Sequence, residues 1–459
     1  MRLILILMSA FWLSACATTK FQVLEINSLA SKASGDGQFD GLEGLANRGG
    51  LGTTEREIER INILFLHGVG SIENPEDAPL ANSFIKGVAG AYSLETDEKT
   101  VSSLCGRDED NENVELQNHI YISEVTPKTY EALPGRSLTL DNLVCMDKQI
   151  LRVNDNLEYV IYRIFWDELF WDSLQVAFVG QDDAVDKTSI PASLRRKYNS
   201  FLKDKLITFG FSDAVMYMGP AGEDIRNATR GAMCSAALDA AGYPLSKQGS
   251  IVDYESICNT ANNAPLDTDP FAFVSESLGS KISYDIMREA MTDGQENVHD
   301  DIIKGTQIFM LANQIPLLSL QDIREENQFK ESDYEDGERP TIIAFSEIND
   351  FLTYELVPFY EQLYTRSSQT EGEQLDFSQA EDRQYIVDLL GFNIVDMRVE
   401  FASPLIPFVG GFVDPLYAHN GHVQQPEIME YILCGADGRS PRVTGCEITA
   451  GPNVKQSRK

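Results

Sequence analysis

The sequence predicts an α/β protein, built as a mostly parallel β-sheet flanked by helices. Three observations predict it. Short, nearly continuous apolar runs recur along the chain, as strands buried on both faces require. They alternate with stretches of helical spacing, the order of a sheet whose parallel strands are joined by crossover helices. One of the runs leads through a tight turn of small residues straight into a helical pattern. The chain has 459 residues and 43% hydrophobic content, enough for a sizeable core in one enlarged domain. There is no internal repeat, no G-x-G-x-x-G and no P-loop.

The elements follow in order. Ile61-Asn62-Ile63-Leu64-Phe65-Leu66 reads as the first buried strand, and a helix is expected over 80–92. Residues 95–156 are polar and charge-rich, and read as an insertion. A second strand is expected over 159–166. The long, mostly helical stretch that follows is the candidate cap over a site. Phe271-Ala272-Phe273-Val274 is the next strand, followed by a helix carrying Ile282, Ile286, Met287 and Ala290 on one side. A second helical segment is expected over 308–318, a strand at Thr341-Ile342-Ile343-Ala344-Phe345, and a later strand over 394–401. The expected organisation is a signal segment at 1–16, a tether or loose extension at 17–57, and a catalytic body at 58–435. Insertions lie at about 94–156 and 175–268, forming a helical cap, and 436–459 is a tail.

Between strand and helix stands Ser275-Glu276-Ser277-Leu278-Gly279-Ser280. A strand, a sharp turn with Ser at its apex and a helix make a nucleophile elbow. Strand and helix nearly touch there, so small residues belong two before, two after and three after the nucleophile. Ser275, Gly279 and Ser280 meet that demand around Ser277, with Ser275 where Gly is usual. Two other serines compete less well. Ser212 lies in Gly210-Phe211-Ser212-Asp213-Ala214, which lacks the final Gly and has no buried strand leading in. Ser346 is followed by the bulky Glu347 and Ile348.

A serine nucleophile needs an imidazole, a carboxylate to orient it, and donors for the oxyanion. The first strand ends in His67-Gly68-Val69-Gly70. Asp350 follows the strand at 341–345, with Glu347 as its rival and Asp396 and Asp414 as weaker candidates. Of five His, two stand near the C-terminus in Ala418-His419-Asn420-Gly421-His422, ahead of Pro426 and a helical pattern. His119 and His299 fall in polar segments.

Taken in this order, strand-His67-Gly68, the Ser277 elbow, Asp350 and then His419, the chain resembles the α/β-hydrolase superfamily from about residue 61 to 432. The resemblance implies a serine esterase or lipase with Ser277 as nucleophile, His419 as base in preference to His422, and Asp350 as acid. The oxyanion donors would be the N–H groups of Val69 and Leu278, with His67 and Gly68 in the supporting loop. The substrate would be a small acyl ester, and no metal or organic cofactor is required. An amide or thioester hydrolase with the same triad is the nearest alternative. A scaffold or binding protein with a decayed site is another, motivated by Glu276. A carboxylate there would repel an anionic transition state unless it points away towards the cap.

Compartment is read from the termini of the chain's chemistry: charge, leader and cysteines. The net charge of −34 argues against nucleic acid as a partner. Arg2, an apolar segment over 3–13 too short to span a bilayer, and Leu13-Ser14-Ala15-Cys16 read as an export signal. The last four residues resemble a bacterial lipobox. That implies lipidation of Cys16 and a lipid-anchored protein of the outer membrane facing the periplasm. Six further Cys allow disulfides, with Cys105–Cys145, Cys234–Cys258 and Cys434–Cys446 expected by proximity.

Overall fold

A computed structural model describes residues 21–30, 37–49, 59–68, 79–94, 119–123, 129–133, 136–139, 144–166, 212–245, 250–266, 268–292, 302–319, 334, 337–367, 375–402, 413 and 415–437. The elements begin with β1 (Gln22–Leu29), β2 (Phe39–Asp40), α1 (Leu42–Gly49), β3 (Glu59–Leu66) and α2 (Pro79–Ala91). Next come β4 (His119–Ser123), the β5 (Thr129–Leu133) and β6 (Arg136–Thr139) hairpin, β7 (Val144–Arg152) and β8 (Leu157–Phe165). The middle of the chain gives α3 (Ser212–Tyr217), α4 (Ala221–Ala240), β9 (Ile251–Asp253) and α5 (Tyr254–Asn263). It continues with β10 (Phe271–Glu276), α6 (Leu278–Thr292), β11 (Gln307–Leu311), α7 (Ile315–Leu318) and β12 (Thr341–Glu347). The last elements are α8 (Leu356–Ser367), α9 (Ala380–Leu390), β13 (Asn393–Glu400), α10 (Pro415–Asn420), α11 (Pro426–Cys434) and β14 (Gly435–Ala436).

The main sheet runs β1-β13-β12-β11-β10-β3-β8-β7-β4-β9. From β13 through β8 every neighbouring pair is parallel. Antiparallel pairs join β1 to β13, β7 to β8 and β4 to β7, so the parallel core is extended at both ends. Both faces are covered, which is why the central strands read as continuous apolar runs. Along β10, Phe271 and Phe273 enter one core with Ile282, Ile286 and Ile308. Ala272 and Val274 enter the other with Phe65, Phe84, Phe345 and Ile432. The period-two alternation of a strand is thus spent on two apolar layers.

Four expectations need correction. The segment at 308–318 is not one helix. Ile308-Phe309-Met310-Leu311 is the buried strand β11, wedged between β10 and β12, and only Ile315–Leu318 is helical. A short apolar run buried on all sides fits either period, and tertiary pairing chose the strand. The stretch expected as a loose extension at 17–57 is ordered where described. Gln22–Leu29 pairs with β13 as the edge strand of the sheet and buries Ile26, Ser28 and Leu29. A register shift between Val23 and Glu25 breaks its alternation, which hid the strand in the sequence. Farther on, β2 pairs with β14, and a Cβ on Gly41 would come within 2.4 Å of the Cys434 nitrogen.

The insertion expected at about 94–156 supplies β7 and β4 to the main sheet. Asp147 on β7 pairs with Arg163 on β8, both side chains fully buried, with two nitrogens meeting two oxygens at 2.7 Å. In the stretch expected as a cap, the described part lies on the sheet. α4 buries Ile225, Met233 and Leu238 in the same core as β8 and β10, because small residues line it and let it sit close. Cys234 on α4 is disulfide-bonded to Cys258 on α5, as expected from their spacing. Cys145 and Cys434 are also disulfide-bonded, while Cys16, Cys105 and Cys446 lie outside the described residues. No helix among the described residues is long and apolar enough to cross a membrane.

Candidate active site

The site is built at the ends of β3, β10 and β12, where the parallel strands leave the sheet. β10 is buried throughout and ends at Glu276. Ser277 follows with φ +50°, the left-handed region that a non-glycine residue enters only where the surroundings hold it. Its N–H donates to the Leu311 carbonyl at 2.9 Å, and its carbonyl accepts from Ser280 N–H at 3.0 Å, so the turn is bonded on both sides. α6 then starts at Leu278 and turns back over β3. A Cβ on Gly279 would lie 2.5 Å from the His67 carbonyl oxygen and 2.6 Å from that of Leu66, so the helix can cross the strand only with glycine there. Ser275 and Ser280, both fully buried, put their hydroxyl oxygens 3.4 Å apart beneath the turn.

Gly68 meets the nucleophile from the neighbouring strand. A Cβ at this position would fall 2.5 Å from Ser277 Cβ and 3.0 Å from the Glu276 carbonyl oxygen. Gly68→Ala is therefore expected to push the two strand ends apart. Labelling of Ser277 by a fluorophosphonate should fall ~100-fold, as displacements of about 1 Å at a reacting centre do. Labelling at the wild-type rate would show that Gly68 does not border the reacting atoms.

The imidazole comes from α10. His419 is buried, with Nε2 2.8 Å from Ser277 Oγ and Nδ1 2.7 Å from Asp350 Oδ2. In the tautomer this fits, Nδ1–H donates to the carboxylate and Nε2 accepts from the hydroxyl. Asp350 sits in the turn after β12, where its oxygens also accept the Leu352 N–H at 3.0 Å and the Thr353 hydroxyl. Burial works to raise its pKa. The hydrogen bond and charge of His419, then Thr353 and Leu352, outweigh that and leave it below the ordinary 3.8. The structure thus brings Ser277, His419 and Asp350 into one hydrogen-bonded line.

The rivals are placed elsewhere. Asp396 accepts the N–H groups of Leu356 and Val357 at 3.0 and 2.6 Å and caps α8, and burial raises its pKa to about 7. Glu347 binds backbone in its own turn and at the end of β13. His422 donates Nδ1–H to the His419 carbonyl at 2.9 Å, and burial drives its pKa down to about 4. His67 stacks on Trp166 at 5.5 Å and bonds the Gly68 carbonyl through Nδ1 at 2.8 Å, which makes it part of the wall. His119 lies on β4, three strands away from β3 in the sheet order. Ser212 opens the short helix α3, and Ser346 stands inside β12, so neither occupies an elbow. Leu278 is the first residue of α6, so its N–H is spared from the helix ladder. Val69, Asp414 and His299 lie outside the described residues.

Glu276 is fully buried, and neither carboxyl oxygen finds a hydrogen-bond partner among the described residues. Burial first, and the nearby Asp350 charge second, raise its pKa well above the ordinary 4.5. Burial thus favours the neutral form of this side chain, which would not repel an oxyanion, and among the described residues it makes no hydrogen bond to a cap. Sequence reasoning missed Thr353. Asp-x-x-Thr with a hydroxyl three residues on is a local turn signal that points to it. Among the described residues, no group of three or more His, Cys, Asp or Glu could hold a metal ion.

No protein-family model matches the chain, and no curated protein matches it. Among solved structures, the siderophore hydrolase EstB from Aspergillus nidulans matches at 9% identity and a TM-score of 0.20, over 80% of this chain and 81% of that one. So slight a likeness carries no weight for fold or function, and the functional reading rests on the geometry of the site.

Proposed function

We propose that this chain is a serine hydrolase of the α/β-hydrolase fold that cleaves carboxylic esters. The observation that supports it is the continuous line Asp350 Oδ2–His419–Ser277 Oγ, with bonds of 2.7 and 2.8 Å, ending at a serine on a left-handed turn between strand and helix. Ser277 Oγ attacks the acyl carbon, and its proton passes to His419 Nε2. Asp350 holds the other ring nitrogen and stabilises the imidazolium that forms. The negative oxygen of the tetrahedral intermediate is received by the N–H of Leu278 at the helix start. Collapse breaks the bond to the alcohol, which leaves with the proton from His419. Water then attacks the acyl-serine, giving its proton to His419 and releasing the acid and Ser277. The same line serves amide or thioester cleavage, and substrate profiling separates these from esters.

The protein is also proposed to be lipid-anchored at Cys16 and periplasmic. The leader sequence and the disulfide-bonded state of Cys145, Cys234, Cys258 and Cys434 support this. The deciding experiment for the enzyme is active-site labelling. A fluorophosphonate is expected to label the wild-type chain and leave Ser277→Ala unlabelled. Equal labelling of the two would sink the assignment.

A further inference from the structure

The two partners of Ser277 come from turns 69 residues apart, each beyond the last strand-to-strand bonds of the sheet. Their relative placement must be fixed to a few tenths of an ångström for the hydrogen-bonded line to persist. One carboxyl group ties the acid turn to the end of β13, which in turn packs on the base segment. Within the acid turn, the Asp350 N–H donates to the Glu347 carbonyl at 3.1 Å. The Glu347 side chain accepts the Asn349 N–H at 2.5 Å on Oε2, and Asn349 Nδ2 at 3.0 Å on Oε1. That same Oε1 reaches the end of β13, accepting the N–H groups of Phe401 and Ala402 at 3.4 and 3.3 Å. The side chain is 2% exposed, so it has no bulk water to fall back on if these donors are lost.

Phe401 carries the contact onward. Its ring stands edge-on to His422, with centroids 5.1 Å apart at 83°, and to Tyr417, at 5.8 Å and 89°. Gly421 leaves room for it: a Cβ there would lie 2.8 Å from Phe401 Cε2. Tyr417, Gly421 and His422 bracket His419 in the chain, and His422 Nδ1–H donates to the His419 carbonyl at 2.9 Å. A path of direct contacts therefore runs from the acid turn through Glu347 and Phe401 to the turn that carries the base. Neither Glu347 nor Phe401 touches Ser277 or an atom that reacts.

We propose that Glu347 and Phe401 are positioning residues, a brace that sets the acid turn and the base turn at hydrogen-bonding distance from one another. This rests on the serine-hydrolase reading of the same site. A carboxyl serving only the stability of a turn would have no reason to bond a second segment, nor would that segment need an aromatic ring wedged against the base turn.

The test uses the full-length chain, p-nitrophenyl butyrate, a fluorophosphonate, and the variants Glu347→Ala, Glu347→Gln and Phe401→Leu. Glu347→Ala and Phe401→Leu are expected to lower kcat ~10- to 100-fold with KM held within about twofold, the signature of lost transition-state geometry. Glu347→Gln keeps an acceptor for the β13 N–H groups and should restore most of kcat. The far-downfield proton signal of the His419 Nδ1–H should weaken in Glu347→Ala and Phe401→Leu and persist in Glu347→Gln. Wild-type kcat and proton signal in both disruptive variants would overturn the brace while leaving the hydrolase reading intact. So would a loss of kcat with the proton signal unchanged. If Glu347→Ala does not fold, Phe401→Leu decides by the same two readouts. If the wild-type chain shows no labelling that depends on Ser277, the hydrolase reading falls and the brace with it.

Discussion

His419→Ala is expected to slow ester turnover and fluorophosphonate labelling by ~10⁴- to 10⁶-fold, the range seen when a triad base is removed. Among the described residues, the imidazole is the base that stands within hydrogen-bonding distance of Ser277 Oγ, at 2.8 Å. His422 cannot step in: its Nδ1 is engaged with the His419 carbonyl, and burial holds its pKa near 4. Asp350→Asn is expected to cost ~10⁴-fold in kcat, because an amide at this place favours the wrong imidazole tautomer. The effects should not add. Ser277→Ala combined with His419→Ala should be no worse than either alone, since the residues act as one unit. Steady-state kinetics and labelling rates measure all of this. A His419→Ala chain within tenfold of the wild type would place the base elsewhere.

Glu276→Gln should make the protein more stable, by a margin that grows with pH. The buried carboxyl has its folded-state pKa raised well above 4.5, chiefly by loss of solvation. Below the unfolded pKa it is protonated in both states, and the substitution changes little. As pH rises past that point the unfolded chain releases the proton and the folded chain must keep it. Wild-type stability then falls by about 1.4 kcal/mol per pH unit until the folded pKa is reached. Glutamine is isosteric and uncharged, so it removes this slope. Urea melts of both chains at a series of pH values from 4 upwards test it. Parallel stability curves would show that Glu276 ionises alike in both states. The variant is expected to keep most of its turnover, because glutamine keeps the shape of a side chain that makes no hydrogen bond to Ser277, His419 or Asp350.

The central strands were legible because each is a run of apolar residues covered on both faces, as at 61–66, 271–274 and 341–345. β11 was not. Its five residues carry no period, and only pairing with β10 and β12 makes them a strand. β1 was hidden for the opposite reason, since a bulge breaks its alternation and an edge strand buries only part of its length. At the site, Ser277, Asp350 and His419 were readable as residue types in a chain order, and Gly279 as a small residue where strand and helix must touch. Glu347 was readable only as a carboxylate near the right strand, with nothing to say which segment it would bind.

The sequence by itself determined the fold class, the strand-turn-helix around Ser277 and a short roster of acids and bases. Those are properties of local pattern, and local pattern is set by spacing along one segment. Only the tertiary structure put Asp350 rather than Glu347, and His419 rather than His422, in the hydrogen-bonded line that ends at Ser277. That choice depends on which side chain, 69 or 142 residues away in the chain, arrives within hydrogen-bonding distance. It also set the upward pKa shift of Glu276, because lost solvation and neighbouring charge are made by residues that meet only when the chain is folded.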